Sequence, residues 1–170
     1  MIERIDHVGI AVRSIAEARK LYEAMGLRVE AVEDVPYDGV RVAMIPCGET
    51  RIELLEPLSE DSPVGKFLAR RGPGIHHLCL ATDDVRSASG RLSESGYRIV
   101  RPEPTRGAGG CWVQFVHPKS AGGVLLELLE DPHLPAHSPG EGEDPHPPAP
   151  SPDPSLPPSP GEGEKDPRAS

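Results

Sequence analysis

The amino-acid sequence predicts an α+β domain over residues 1–131, in which two βαβββ modules share one curved sheet, followed by a proline-rich tail over 132–170. Three observations lead there. The stretches "IDHVGIAVRSIAEARKLYEAMGLRV" (5–29) and "IHHLCLATDDVRSASGRLSESGYRI" (75–99) align at a constant offset of 70 residues, the signature of an internal repeat. Each copy opens with the period-two alternation of a half-buried strand and continues with apolar residues at helical spacing. Composition then breaks near Asp131, and 13 of the chain's 21 prolines fall in the last 40 residues.

In the first strand Ile5, His7, Gly9 and Ala11 share a face, as do Ile75, His77, Cys79 and Ala81 in the repeat. The first helix is announced by a capping box of Ser14 and Glu17, by a stripe of Ile15, Ala18, Leu21, Tyr22 and Met25, and by Gly26 as its stop. Asp84 is the cap of the second copy, Val85, Ala88 and Leu92 its stripe, and Gly96 its stop. Three β-rich runs follow each helix: 28–32, 40–45 and 51–55 in the first module, then 98–100, 112–117 and 124–129 in the second. The modules therefore span about 1–57 and 73–131, joined by a helix over 62–71 with Ser62 as cap, Pro63 at the first position, Arg70 and Arg71 at the carboxyl end and Gly72 as stop. Two sheets that can each bury one face pack as curved halves around a shared interior.

The tail has no aromatic residue and repeats "SPGEGEDP" as "SPGEGEKDP", so it is expected to be disordered and solvated. Residues 1–130 carry 16 basic and 19 acidic groups, net −3, and residues 131–170 carry 2 and 8, net −6. No basic stripe supports nucleic-acid binding. No apolar run approaches the ~20 residues of a membrane span, and the N-terminus lacks a signal-peptide pattern, so a soluble, cytoplasmic protein is expected. Cys47, Cys79 and Cys111 form no C-x-x-C pair and are expected to be reduced and buried.

The final strands also correspond. "RIELLEP" (51–57) and "LLELLED" (125–131) pair Glu53 with Glu127 at an offset of 74, the four extra residues fitting a larger loop in the second module. A carboxylate buried among leucines is costly unless it is paired or binds a cation. A single strand histidine is more often an ordinary core or surface residue. Four groups in symmetric register point instead to His7, His77, Glu53 and Glu127 converging on one divalent ion, with Co(II), Mn(II), Ni(II), Fe(II) and Zn(II) all suited to two nitrogen and two oxygen donors. His76 is expected on the opposite face, in a supporting role. The glycines of "RGAGG" (106–110), Gly109 and Gly110 among them, permit close backbone approach, and His117, Lys119 and Ser120 in "FVHPKS" are candidate ligand contacts. The Walker spacing of a phosphate loop is missing.

"IDHVGIAV", "IELLEPLSEDSPVGKFLARRGPGIHHLCL" and the segments "GAGG", "FVHPKS" and "GVLLEL" together resemble the methylmalonyl-CoA epimerase family of the vicinal oxygen chelate superfamily, over residues 2–129. The first motif marks only the superfamily, which also holds glyoxalase I, extradiol dioxygenases and antibiotic-resistance proteins. The connecting segment and the HPKS loop are much more specific to the epimerases. The resemblance implies a homodimer, a CoA thioester substrate inverted at C2, and a divalent metal, commonly cobalt, with Mn(II), Ni(II), Zn(II) or Mg(II) as substitutes. It makes His7, His77 and Glu127 ligands with Glu53 at the remaining site, where some members have glutamine. It also implies two acid/base groups, of which Glu127 is one. The family's second glutamate belongs in the run 40–45, which here reads "VRVAMI", so Glu53 is the nearest substitute, with Asp38 and Glu49 on the loops at either end. The rival readings are glyoxalase-type isomerisation, dioxygenation at iron, and a metal-free binding protein.

Overall fold

A computed structural model describes residues 1–131, and the tail expected over 132–170 lies outside the described residues. The chain runs β1 (Ile2–Ala11), α1 (Ile15–Ala24), β2 (Ala31–Val35), β3 (Val40–Cys47), β4 (Thr50–Pro57), α2 (Pro63–Arg71), β5 (Gly74–Thr82), α3 (Val85–Glu94), β6 (Thr105–Arg106), β7 (Trp112–Val116) and β8 (Leu126–Glu130), with short 3-10 turns at Ala108–Gly110 and Pro118–Ser120. All eight strands join one sheet in the order β2-β3-β4-β1-β5-β8-β7-β6. At its centre β1 and β5 pair antiparallel, and each has a parallel neighbour, β4 beside β1 and β8 beside β5. The repeat in sequence is thus a twofold relation in space.

The helices start where their caps dictate. Ser14 Oγ accepts from the Glu17 amide at 3.3 Å, Ser62 Oγ from Gly65 at 3.1 Å and an Asp84 carboxylate oxygen from Ser87 at 2.9 Å. The last glutamate of each repeated strand adds a second support: Glu56 accepts from the Ile15 amide at 2.6 Å and Glu130 from the Val85 amide at 2.9 Å. A carboxylate at a helix N-terminus is favoured by the dipole and satisfies an orphan donor.

Two layers of core follow from the strand alternation. On the outer face Ile15 of α1 packs with Ala43, Ile45 and Leu54, and Val85 and Ala88 of α3 pack with Leu128. On the inner face Val64 and Leu68 of α2 pack with Ala11, Val42 and Leu55, while Cys79, Cys111, Val113 and Leu129 form the matching cluster of the second half. Each buried valine or leucine contributes roughly 1.5–3 kcal/mol by transfer from water.

Several expectations need correction. The strand expected over 28–32 begins at Ala31, because Leu27 and Val29 pack under α1. The run 98–100 is not a strand but a single bridge from Ile99 to Val116, followed by the two-residue β6. Pro102 and Pro104 lie between these pieces, and neither can donate to a ladder. Ile5 and Ile75 are exposed, not inward, and Cys47 is exposed while Cys79 and Cys111 are buried. Among the described residues no helix is long and apolar enough to cross a membrane.

Candidate metal centre and its cavity

The register of the central strands explains both the exposed isoleucines and the convergence of the polar groups. Against β5, Ile5 pairs with Leu80 but His7 with Cys79, so Asp6 is an extra residue in β1; against β1, Ile75 pairs with Ile10 but His77 with Gly9, so His76 is an extra residue in β5. The two bulges are related by the 70-residue repeat, and each stands immediately before a site histidine. A bulge re-aims side chains and breaks strict alternation. His76 therefore borders the same cavity as His77 rather than the opposite face, and Asp6 is buried beside His7.

The four groups meet. His7 Nε2 lies 3.0 Å from His77 Nε2 and 3.4 Å from an oxygen of each of Glu53 and Glu127; His77 Nε2 lies 3.4 Å from Glu53 and 2.9 Å from Glu127. All four side chains are buried. Glu53 faces Gly9 across β1–β4 and Glu127 faces Cys79 across β5–β8, equivalent positions in the repeat. Gly9 has a definite reason to lack a side chain. A Cβ there would sit 2.5 Å from His77 Nδ1 and 2.6 Å from His77 Nε2, so the ring needs the bare backbone beneath it.

The electrostatics of the cluster set the charge it calls for. Burial works against charge on both carboxylates, yet the adjacent imidazoles hold Glu53 down at about 2 and lower Glu127 as well. Burial likewise works against charge on the histidines, but Glu127 and Glu53 raise His77 to about 9, and Asp6, Cys79 and the two glutamates raise His7 well above its ordinary value. Two buried carboxylates thus demand about two positive charges, which protons on the imidazoles supply in the protein alone. A dication supplies the same charge while leaving the rings neutral. Ligand atoms about 2.0–2.2 Å from one ion lie roughly 2.9–3.6 Å from one another, which matches every separation within the trio His7, His77 and Glu127 and that of Glu53 from each imidazole. The residues fit a divalent metal.

Behind the imidazoles the halves differ. His7 Nδ1 lies 2.9 Å from Asp6, which also accepts from Arg51; burial raises Asp6, but the bonds to His7 and Arg51 bring it to about 2. His77 Nδ1 lies 3.0 Å from His76 Nδ1, and burial, reinforced by charge on His77, pushes His76 down to about 4. A carboxylate behind a ligand histidine fixes its tautomer and strengthens it as a donor. Asp6, His7 and Cys79 also cluster closely, and burial pushes the Cys79 thiol up to about 12. The sequence reading missed Asp6 and Gly9. The signal for Asp6 was its alignment with His76, "IDH" over "IHH".

The cluster opens on a cavity of about 160 Å³, lined by Val42, Leu55, Val64, Val113 and Phe115 and also by Asp38 and Arg101. The residues expected to touch ligand are placed differently. Gly107 and Ala108 form that side of the cavity, whereas Gly109, whose amide donates to Glu33 at 2.7 Å, and Gly110 belong to the turn beyond it. His117 and Lys119 border a neighbouring open groove of about 880 Å³. Ser120 Oγ accepts from the Arg98 amide at 3.0 Å and donates to the His117 carbonyl at 3.2 Å, which ties the loop to the edge of the sheet.

A duplicated βαβββ scaffold with two imidazoles and two carboxylates meeting between its halves is the plan of the vicinal oxygen chelate fold, and residues 6–115 match the Glyoxalase/Bleomycin resistance protein/Dioxygenase superfamily. The chain is 44% identical over 131 residues to the ethylmalonyl-CoA/methylmalonyl-CoA epimerase of Cereibacter sphaeroides, covering 75% of this chain and 98% of that one. The crystal structure of methylmalonyl-CoA epimerase from Mycobacterium tuberculosis is similar at 38% identity and TM-score 0.73, over 76% of this chain and 88% of that one. The Streptomyces coelicolor enzyme, a variant in complex with 2-nitronate-propionyl-CoA, is similar at 37% identity and TM-score 0.76, over 79% and 98%. The chain belongs to the methylmalonyl-CoA epimerase family, whose members are isomerases.

Proposed function

We propose that this chain is a metal-dependent epimerase that interconverts the two configurations at C2 of methylmalonyl-CoA. The observation that carries the reading is the pair Glu53 and Glu127, on strands that flank the two histidines from opposite sides and face one cavity. The C2 hydrogen lies between a thioester and a carboxylate, and its removal leaves an enolate with charge on the thioester oxygen. A divalent ion, Co(II) by preference and Mn(II), Ni(II), Zn(II) or Mg(II) as alternatives, held by His7, His77, Glu53 and Glu127, would supply positive charge to that oxygen and to the substrate carboxylate. Inversion takes a proton from one face and returns one to the other. Glu127 serves one face and Glu53 the other, since β3 presents Val42 and Met44 where an acid would otherwise stand. Glu53 also adds a negative charge to the centre, which tempers its pull on electrons.

The groove beside the cavity suits the rest of the substrate. Lys66, Arg70, Arg71 and Lys119 line it together with Phe67 and Ile75, and it meets the cavity at Pro63, His76, Val100 and Leu125. That gives an apolar floor for a pantetheine arm and cations for phosphates. The same reading gives a cytoplasmic homodimer. Four protein ligands leave little room for a catechol and oxygen together, which disfavours dioxygenation.

The test is exchange of the C2 hydrogen of methylmalonyl-CoA in heavy water. The parent protein washes deuterium into both configurations, and Glu127→Ala abolishes exchange. A parent that exchanges nothing, or a Glu127→Ala variant with full activity, overturns the mechanism.

A further inference from the structure

Pro63, Val100, Leu125 and His76 line both the cavity and the groove beside it, so they form the neck between the two, and His76 is the one polar side chain among them. Its ring meets that of Phe67, from α2, edge-on at 5.0 Å, and its Nδ1 lies 3.0 Å from His77 Nδ1. The direction of this last bond follows from the metal centre. His77 Nε2 faces Glu127 at 2.9 Å. Whether that nitrogen binds an ion or carries a proton, Nδ1 keeps its own hydrogen and donates it to His76 Nδ1. His76 Nδ1 is therefore the acceptor, and the hydrogen of its neutral ring sits on Nε2. Among the described residues nothing accepts that hydrogen. The contact with His77 is the ring's hydrogen bond, and no buried side-chain nitrogen goes without a partner, so Nε2 is open to the neck.

An apolar neck with one free donor is selective for what passes through it. In a CoA thioester the sulfur is followed by two methylenes and an amide, and the amide carbonyl lies roughly 6–7 Å along the extended arm from the thioester carbon. His76 Nε2 stands out from the centre by one imidazole, a 3.0 Å hydrogen bond and a second imidazole, a comparable span. Drawn between Pro63, Val100 and Leu125, that carbonyl loses its water, which is costly unless a donor replaces it. We propose that the Nε2 hydrogen of His76 binds the first amide carbonyl of the pantetheine arm and so sets the thioester in register over the metal centre. One histidine then works in two directions, accepting from a ligand ring at Nδ1 and donating to the arm at Nε2. The inference rests on the epimerase reading for the class of substrate, and it gives His76 a direct contact in place of a supporting role alone.

The experiment uses the full-length protein as purified and two small methylmalonyl thioesters. The thioester of N-acetylcysteamine keeps the first amide, and that of pentanethiol has the same length without it. Calorimetry reads their affinities, and a metal titration reads the support given to His77. In His76→Asn the side-chain oxygen takes the place of Nδ1 and nothing replaces Nε2, whereas in His76→Gln the side-chain amide reaches the place of Nε2 and Nδ1 is lost. His76→Asn is expected to cut the preference for the N-acetylcysteamine thioester over the pentyl thioester by about tenfold, with metal affinity within about twofold of the parent. His76→Gln is expected to keep that preference within about threefold while metal affinity falls. Equal weakening of both thioesters in the asparagine variant, or a lost preference in the glutamine variant, would leave His76 as a support of His77 alone and overturn the proposal. Either variant decides the matter if the other does not fold. A parent that binds with this preference, loses it in His76→Asn and exchanges no C2 hydrogen would sink the epimerase reading and leave the His76 assignment standing. A parent that exchanges the C2 hydrogen, with its preference unchanged in His76→Asn, would do the reverse.

Discussion

In the half that runs from β1 to β4, the edge strand β2 pairs with β3 over five residues, Ala31 to Val35, and α2 packs over the inner face. In the half from β5 to β8 the equivalent edge is one bridge at Ile99 and a two-residue strand, with Arg101 in the gap between them. The centre repeats far more faithfully. Each half has its bulge, the histidine that follows it, the glutamate on the parallel neighbour and the second glutamate at a helix N-terminus. The residue in the bulge changes, Asp6 in one half and His76 in the other, and so does the position two residues beyond the histidine, Gly9 in one half and Cys79 in the other. Duplication has kept what four converging donors require, and divergence has gone into the walls and into the groups behind the rings.

The largest effects are expected from the paired glutamates. Glu127→Ala should abolish C2 exchange, and Glu53→Ala should lower its rate by about 10²–10⁴-fold, as for a lost acid/base group. If Glu53 binds metal without moving protons, its variant will recover activity at saturating metal while Glu127→Ala will not. Exchange rates measured across a metal titration separate the two.

Next comes the equivalent pair Gly9 and Cys79. Gly9→Ala drives a methyl into the His77 ring, so metal affinity should fall by about 10–100-fold, as for a disturbed ligand support. Cys79→Ala removes one buried atom and should cost about 1 kcal/mol in denaturant unfolding, with the metal retained. Equal losses at the two positions would contradict the ring-over-glycine geometry.

The groups behind the rings give a smaller contrast. Asp6→Asn should weaken metal binding by up to about tenfold, and more than His76→Gln does, since only Asp6 places a carboxylate behind its histidine. Metal affinity should also rise with pH. His77, raised to about 9, is protonated below that pH in the metal-free chain, and the ion must displace that proton. Affinity therefore climbs by up to about tenfold per unit per displaced proton from pH 6, and the slope eases as pH passes through about 9, where the share of the His77 proton is lost while that of the more strongly raised His7 remains. Calorimetry at several pH values reads this directly. Removal of residues 132–170 should change none of these quantities.

Helix starts, the repeat and the convergence of His7, His77, Glu53 and Glu127 were legible in the sequence because each rests on a local rule: a cap, a stop glycine, a period, or an offset that pairs like with like. The edge strands were less so, since Leu27 and Val29 satisfy strand propensity yet are drawn under α1. The bulges left no trace in a period-two pattern, which is why Ile5 and Ile75 were expected inside and His76 on the far face. Arg101 stood in a proline-interrupted run with no period at all, and its place at the cavity depends on Asp38, 63 residues away.

The central claim is that one divalent ion sits where the two halves meet. Metal analysis of the purified parent and of the His7→Ala, His77→Ala, Glu53→Ala and Glu127→Ala variants tests it most directly. The account predicts one tightly held ion per parent chain and loss or marked weakening in all four variants. A folded parent that takes up no divalent metal, or variants that hold it as the parent does, would contradict it.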